Sequence, residues 1–323
     1  MAVSTLLLSS LFLATGCGVV AKHRETRAEE QFPPEGRFVT LSDGRQVHVV
    51  VRGSGPDVVL IHGASGNTRD FTFAFAGQLS DRYRVIVFDR PGMGWSDRAG
   101  PEYGGAFNTQ AESPAEQAAM LQAAALELGA DRPIVLGQSY GGAVALAWAL
   151  NHPQALSGLV VVSGASNPWP GELDRLYRVN ASPLGGATVV PALTAFAPRA
   201  RADEVLAGIF APQPVPEGYA EHIGVGLSLR REALRANARQ VTSLRPHVVE
   251  MSERYPTIGV PTEILHGTAD TIVPLEIHSE PLSRQIPGAR LTRLDGIGHM
   301  PHHVTPEAVF AAIDRVAADA GLR

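Results

Sequence analysis

The chain has 323 residues, 45% of them hydrophobic and 18% charged, with a net charge of −5. That is material for one large buried core with room for an insertion, and a mildly acidic balance without basic clusters speaks against nucleic acid as a partner. A single cysteine, Cys17, excludes a disulfide framework.

Residues 2–21 carry no charged side chain, and Leu6 to Leu13 forms an apolar run of signal-peptide length. Ala14-Thr15-Gly16-Cys17 follows. Small residues before a lone cysteine resemble a bacterial lipoprotein signal, in which Cys17 would become the lipidated first residue. The segment departs from that pattern at Ala14, where Leu is preferred, and in having no Lys or Arg before the apolar run. The rival readings are an uncleaved anchor and cleavage after Ala21. The expectation is an exported chain held at the cell envelope or membrane by its N-terminus, with a cytoplasmic location as the alternative. Residues 22–36, charged from Lys22 to Glu30, read as a linker.

From Arg37 the pattern becomes regular. Phe38 to Leu41, a turn at Ser42-Asp43-Gly44, and Gln46 to Val51 predict a β-hairpin. Val58 to Ile61 is an apolar strand ending in His62-Gly63-Ala64-Ser65-Gly66. Arg84 to Phe88 is another, ending in Asp89-Arg90-Pro91-Gly92-Met93-Gly94-Trp95-Ser96. A helix is expected from Pro114 to Leu128, with Ser113 and Glu116 as a capping box. Pro133 to Leu136 then leads into Gly137-Gln138-Ser139-Tyr140-Gly141 and an Ala-rich helix stopped by Pro153. A further strand covers Leu159 to Val162.

Between Ser166 and Pro256 the alternation stops, and the Arg-, Ala- and Pro-rich segment reads as a helical cap with helices such as Arg230 to Val241. Thr262 to Leu265 resumes the pattern and ends in His266-Gly267-Thr268-Ala269-Asp270. Leu291 to Leu294 ends in Asp295-Gly296-Ile297-Gly298-His299. A helix from Pro306 to about Ala320, with Thr305 as its N-cap, closes the chain. The division is therefore 1–21 (signal-like), 22–36 (linker), 37–165 (core), 166–256 (cap) and 257–323 (core). Continuous apolar strands alternating with helices predict an α/β fold, a mostly parallel sheet covered on both faces, with functional groups at the carboxyl ends of its strands.

Ser139 lies on the turn between strand and helix, where its hydroxyl leaves the packed layer near the positive end of the helix dipole. A serine hydroxyl needs a base, and the base needs an orienting acid. Asp270 and His299 follow it at later strand ends, in the order nucleophile, acid, histidine. With these motifs in place, the chain from about Arg37 to Leu322 resembles the capped α/β-hydrolases. The resemblance rests on His62-Gly63-Ala64, the Asp89–Ser96 turn, the Ser139 elbow, His266 to Pro274 and Gly298 to His302.

That resemblance implies a triad of Ser139, Asp270 and His299, with the backbone N–H groups of Ala64 and Tyr140 as the oxyanion hole. Asp295 is the second candidate for the acid, on the strand that leads into the His299 loop. His302 and His303 read as cap or surface groups, Asp89 as a brace for its turn and His62 as a brace for the oxyanion loop. Trp95 and Trp169 are candidates for lining the substrate pocket, with core packing as the competing reading. The histidines lack ligand spacing, so no metal is expected; nor is a cofactor.

Epoxide hydrolases and haloalkane dehalogenases carry Asp at the elbow and dienelactone hydrolases Cys, so Ser139 points away from all three. The remaining expectation is hydrolysis of a carboxylic ester, a small-molecule acyl substrate, through an acyl-enzyme. A carbon–carbon bond hydrolase or another acyl hydrolase of the same fold is the alternative, and a hydrolase-like ligand-binding receptor is the non-enzyme alternative. The oligomeric state is left open.

Overall fold

A computed structural model describes residues 2–323, with side chains described from Gly16 onward. Eight strands form one sheet: β1 (Arg37–Thr40), β2 (Gln46–Arg52), β3 (Asp57–Ile61), β4 (Arg84–Phe88), β5 (Ile134–Gln138), β6 (Gly158–Val162), β7 (Thr262–Gly267) and β8 (Arg290–Leu294). Their spatial order is β1-β2-β4-β3-β5-β6-β7-β8. The β1–β2 and β2–β4 pairs are antiparallel and every other pair is parallel. Side chains alternate across the sheet. Val59, Ile61, Val135 and Val161 enter one core, Val58, Leu60, Leu136 and Val160 the other.

The helices, in chain order, begin with α1 (Ala2–Gln31), α2 (Arg69–Thr72), α3 (Phe75–Leu79), α4 (Pro114–Glu127) and α5 (Tyr140–Asn151). Six lie between β6 and β7 as the cap: α6 (Arg175–Ala181), α7 (Pro183–Phe196), α8 (Arg199–Phe210), α9 (Tyr219–His222), α10 (Val225–Ser228) and α11 (Arg231–Arg254). α12 (Ser279–Gln285), α13 (Pro301–Val304) and α14 (Pro306–Asp319) complete the core. α5 is buried from Tyr140 to Leu150. It has no polar face, so packing against the sheet, α4 and α11 holds it in place. Each fully buried Leu or Val there stabilises by roughly 1.5–3 kcal/mol.

The capping box at Ser113 and Glu116 is present as expected. Thr305 makes no side-chain cap hydrogen bond; Pro306 at the first helical position, which has no N–H to satisfy, starts α14 instead. The cap helix expected over Arg230–Val241 runs on to Arg254 through Pro246, because Leu244, Val248 and Met251 continue its buried face.

The segment 22–36 is not a linker in the structure: α1 continues through it to Gln31. Ala21 and Ala28 are buried, and α1 packs on α7 and α10. Its charges have distant partners. The Arg24 guanidinium donates to the carbonyls of Ala195 and Ala197, each at 3.0 Å, at the C-terminus of α7. Glu25 accepts from the Arg231 backbone N–H at 2.9 Å, at the start of α11, and pairs with the Arg231 guanidinium at 2.8 Å. Both contacts satisfy helix-end groups that have no partner within their own helix. No helix among the described residues is long and apolar enough to cross a membrane. Most of the apolar run and the signal-like motif lies outside the described side chains; Cys17 is half-buried.

Candidate active site

Ser139 sits at the end of β5 with φ 54° and ψ −121°, a left-handed conformation that is strained for any residue with a Cβ. Two backbone bonds hold the turn: its N–H donates to Val162 at 3.0 Å, and its carbonyl accepts from Ala165 at 3.1 Å. The motif glycines are required by close approach. A Cβ on Gly137 would clash with the Gly141 carbonyl, and one on Gly141 with the Ile61 carbonyl. Ser139 thus stands at the N-cap of α5, on a turn too tightly packed for a Cβ at Gly137 or Gly141.

Asp270 and His299 meet at the ends of β7 and β8. His299 Nδ1 donates to Asp270 Oδ2 at 2.7 Å, which leaves Nε2 as the lone-pair nitrogen. Asp270 Oδ1 accepts from the N–H groups of Ile272 and Val273 at 2.9 and 3.0 Å. Burial alone would raise the Asp270 carboxyl, but hydrogen bonds from His266 and His299 hold it below the ordinary carboxylate range. It stays ionised.

His299 is tied to the elbow through the neighbour of Ser139: the Gln138 side-chain amide donates to the His299 carbonyl at 3.2 Å. Among the described residues the Ser139 hydroxyl has no hydrogen-bond partner, and such bonds often tighten only when substrate is bound. Ser139, Asp270 and His299 are all buried beneath the cap. The exposed Asp295 accepts from the Thr268 hydroxyl at 3.2 Å, whereas His299 bonds to Asp270.

The first turn, His62 to Gly66, packs beside Ser139: a Cβ on Gly63 would lie 3.0 Å from Ser139 Cβ. His62 accepts the Arg90 N–H on Nε2 at 3.0 Å, so Nδ1 carries the proton donated to the Gly63 carbonyl at 2.9 Å. Burial pushes its pKa down to about 4, so it braces the loop as a neutral ring. Asp89 braces its own turn, accepting from Thr68 N–H at 2.6 Å, Trp95 N–H at 2.8 Å and His48 Nδ1 at 2.7 Å.

Several residues that hold the site were not singled out from the sequence. Arg90 is fully buried and donates to the carbonyls of His62 and Gly63, each at 3.0 Å. It also reaches Gln117 at 2.8 Å and Gln240 at 2.9 Å, with its guanidinium 4.4 Å from the Tyr140 ring centroid. By bonding to those two carbonyls it fixes two successive peptides of the His62–Gly66 turn, whose N–H groups face away from it. His266 supports the acid from behind: Nε2 lies 3.1 Å from Asp270 and 2.6 Å from the Val273 carbonyl, and Nδ1 accepts from Ser279 at 2.6 Å. His278 accepts the N–H groups of Ser166 and Asn167, both at 3.2 Å, where the chain enters the cap.

The cap bonds to the Ser65 turn and to the loop that leads into His299. Asn237 of α11 bonds to Ser65, and Gln213 accepts from Gly298 N–H at 2.9 Å while donating to the Gly296 carbonyl at 2.7 Å. Neither side chain carries a motif; only the folded cap brings them near.

The two tryptophans separate. Trp169 is half-buried, 6.2 Å from the His278 ring on the acid side of the triad. Trp95 does not meet the triad: its indole N–H donates to the Phe32 carbonyl at 3.3 Å and Arg230 covers its ring at 5.0 Å, so it packs the end of α1 instead of a substrate pocket. His302 and His303 are not surface groups. Both rings are buried and point to Asp70. A cavity of about 640 Å³ lies apart from Ser139, between α1 and the cap, lined by Cys17, Thr188, Arg231 and Arg235 among others.

A sequence profile described as "Alpha/beta hydrolase family" matches residues 58–312. The pimeloyl-[acyl-carrier protein] methyl ester esterase of Edwardsiella ictaluri is 32% identical over 80% of this chain and 91% of its own length. Haloalkane dehalogenase 2 of Mycobacterium tuberculosis is 26% identical, over 87% of this chain and 94% of its own. Among solved structures, a thermophilic esterase from Thermogutta terrifontis superposes with a TM-score of 0.68 at 22% identity, covering 88% and 99% of the two chains.

Proposed function

The chain belongs to the alpha/beta hydrolase family, and from that premise we propose that it hydrolyses a carboxylic ester of a small acyl substrate through a Ser139–His299–Asp270 triad. The observation that carries the reading is the 2.7 Å bond from His299 Nδ1 to the buried Asp270 carboxylate beside a strained Ser139 elbow. Ser139 Oγ attacks the ester carbonyl carbon while His299 Nε2 takes its proton. The carbonyl oxygen becomes an oxyanion facing the N–H groups of Ala64 and Tyr140, the latter at the positive end of α5. Collapse breaks the ester C–O bond, and His299 returns the proton to the departing alcohol. Water, activated by the same imidazole, then releases the acid from Ser139.

A serine at the elbow separates this chemistry from that of an aspartate nucleophile, despite the dehalogenase among the relatives. The methyl ester esterase relative supports an ester as the bond cleaved. The test is labelling by a fluorophosphonate together with turnover of p-nitrophenyl acetate and butyrate. Wild type labels and turns over; Ser139→Ala does neither. Equal hydrolysis by Ser139→Ala sinks the mechanism, and a wild type silent toward a broad acyl panel favours the receptor reading.

The same proposal places the chain at the cell envelope with a lipid on Cys17. Cleavage before Cys17 would leave Arg24, Glu25 and all their described contacts with the cap in place. Globomycin-sensitive processing, abolished in Cys17→Ala, is the expected result; unprocessed, unlabelled wild-type chain would refute it.

A further inference from the structure

Asp70 of α2 and the adjacent His302 and His303 of α13 come together across 232 residues of sequence at the junction of core and cap. We propose that they form a site for one divalent first-row transition ion, zinc foremost, with the Tyr219 hydroxyl as a neighbouring oxygen donor. His302 Nε2 lies 3.2 Å from Asp70 Oδ2 and His303 Nε2 2.8 Å from Oδ1. The three donor atoms fall within 4.8 Å of one another. Tyr219, from the cap, donates to Asp70 Oδ1 at 2.7 Å.

The donor set selects the ion. Two imidazole nitrogens and one carboxylate suit zinc and its first-row neighbours, whereas calcium and magnesium take oxygen ligands in greater number. The surroundings supply a reason for a cation. The Asp70, His302 and His303 side chains are 5%, 0% and 1% exposed. Phe71, Phe73, Phe75 and Phe210 ring them at centroid distances of 5.0–6.0 Å.

No Lys or Arg pairs with Asp70 among the described residues. A buried carboxylate in an aromatic shell is costly without a countercharge. A divalent ion removes that cost, and its ligands would fix α13, which begins directly after Met300 and so after His299, against the cap. Among the described residues His302 Nδ1 has no hydrogen-bond partner.

The test uses the full chain carrying a cleavable tag free of histidine. Elemental analysis after zinc loading and desalting should find one ion per chain in wild type, and little in His303→Gln or Asp70→Asn. Cobalt loading should give visible d–d bands in wild type only. Prolonged 1,10-phenanthroline should lower the melting temperature, with recovery on adding zinc. If Asp70→Asn fails to fold, His303→Gln carries the comparison. Wild-type metal content no higher than that of His303→Gln, or a melting temperature indifferent to zinc, overturns the site and leaves a hydrogen-bond clamp.

Discussion

Asn237 and Ser65 exchange two hydrogen bonds across the cap–core junction: the Ser65 N–H donates to Asn237 Oδ1 at 2.7 Å, and Asn237 Nδ2 donates to Ser65 Oγ at 2.8 Å. Ser65 has φ 56°, so the oxyanion loop is held in a strained conformation by a residue 172 positions away. Asn237→Ala should lower kcat by about 10- to 100-fold, since small misplacements of catalytic groups carry costs of that order. Asn237→Asp retains the acceptor for the Ser65 N–H and should recover part of the loss. Steady-state kinetics at matched folded fraction decide; wild-type kcat in Asn237→Ala would mean the loop holds itself.

Asp270→Asn cannot fix the Nδ1–H tautomer of His299, and kcat should fall by about 10³- to 10⁴-fold. Asp295→Asn, at an exposed site, should stay within about twofold of wild type. Reversal of that order would exchange the roles of the two acids.

Arg90→Met would strip hydrogen bonds from the His62 and Gly63 carbonyls and from two buried glutamines. The expected loss is about 3–5 kcal/mol in urea unfolding, the scale for removing one member of a buried charged network. A loss under about 1 kcal/mol would mean that the loop relaxes to find other donors.

Acid should destabilise the fold in a defined window. His62 and His278 each have a folded pKa of about 4, lowered first by burial from an ordinary 6.5. The unfolded chain therefore binds more protons between these values, so stability is full above pH 6.5 and falls as pH drops toward 4. Each group contributes up to ~1.4 kcal/mol per pH unit in that range. Below it, the depressed carboxyls of Asp89 and Asp270 take over, their contribution being lost as pH falls through their folded pKa values. Urea midpoints at several pH values check this. His278→Asn, which keeps an acceptor for the Ser166 and Asn167 N–H groups, should flatten the slope; an unchanged slope would remove His278 from the account.

Glu25→Ala removes both the cap on α11 and the pair with Arg231, and should cost about 1–2 kcal/mol. Hydrogen exchange should locate the change in α7 and α11 and spare the sheet. Uniform loss of protection would contradict local docking.

The strands and the elbow were legible because the information is local. Val58–Ile61 and Leu159–Val162 are unbroken apolar runs, and Gly137 and Gly141 mark a turn whose crowding is set within five residues. What the sequence hid is non-local. Lys22–Glu30 reads as solvated charge because the partners of Arg24 and Glu25 lie more than 170 residues on. His302 and His303 have no ligand spacing because their third member is Asp70. Arg90 sits inside a recognisable motif, yet its role depends on Gln117 and Gln240, which no pattern connects. Trp95 was assigned by residue type, and its neighbours Phe32 and Arg230 give it other work.

The grip of α1 on the ends of two cap helices also sets the path of force through the molecule. A load applied at the N-terminus passes through Arg24 and Glu25 into α7 and α11 before it reaches β1, the edge strand that follows in the chain. Tension on α1 would therefore be felt by the cap sooner than by the sheet beneath it.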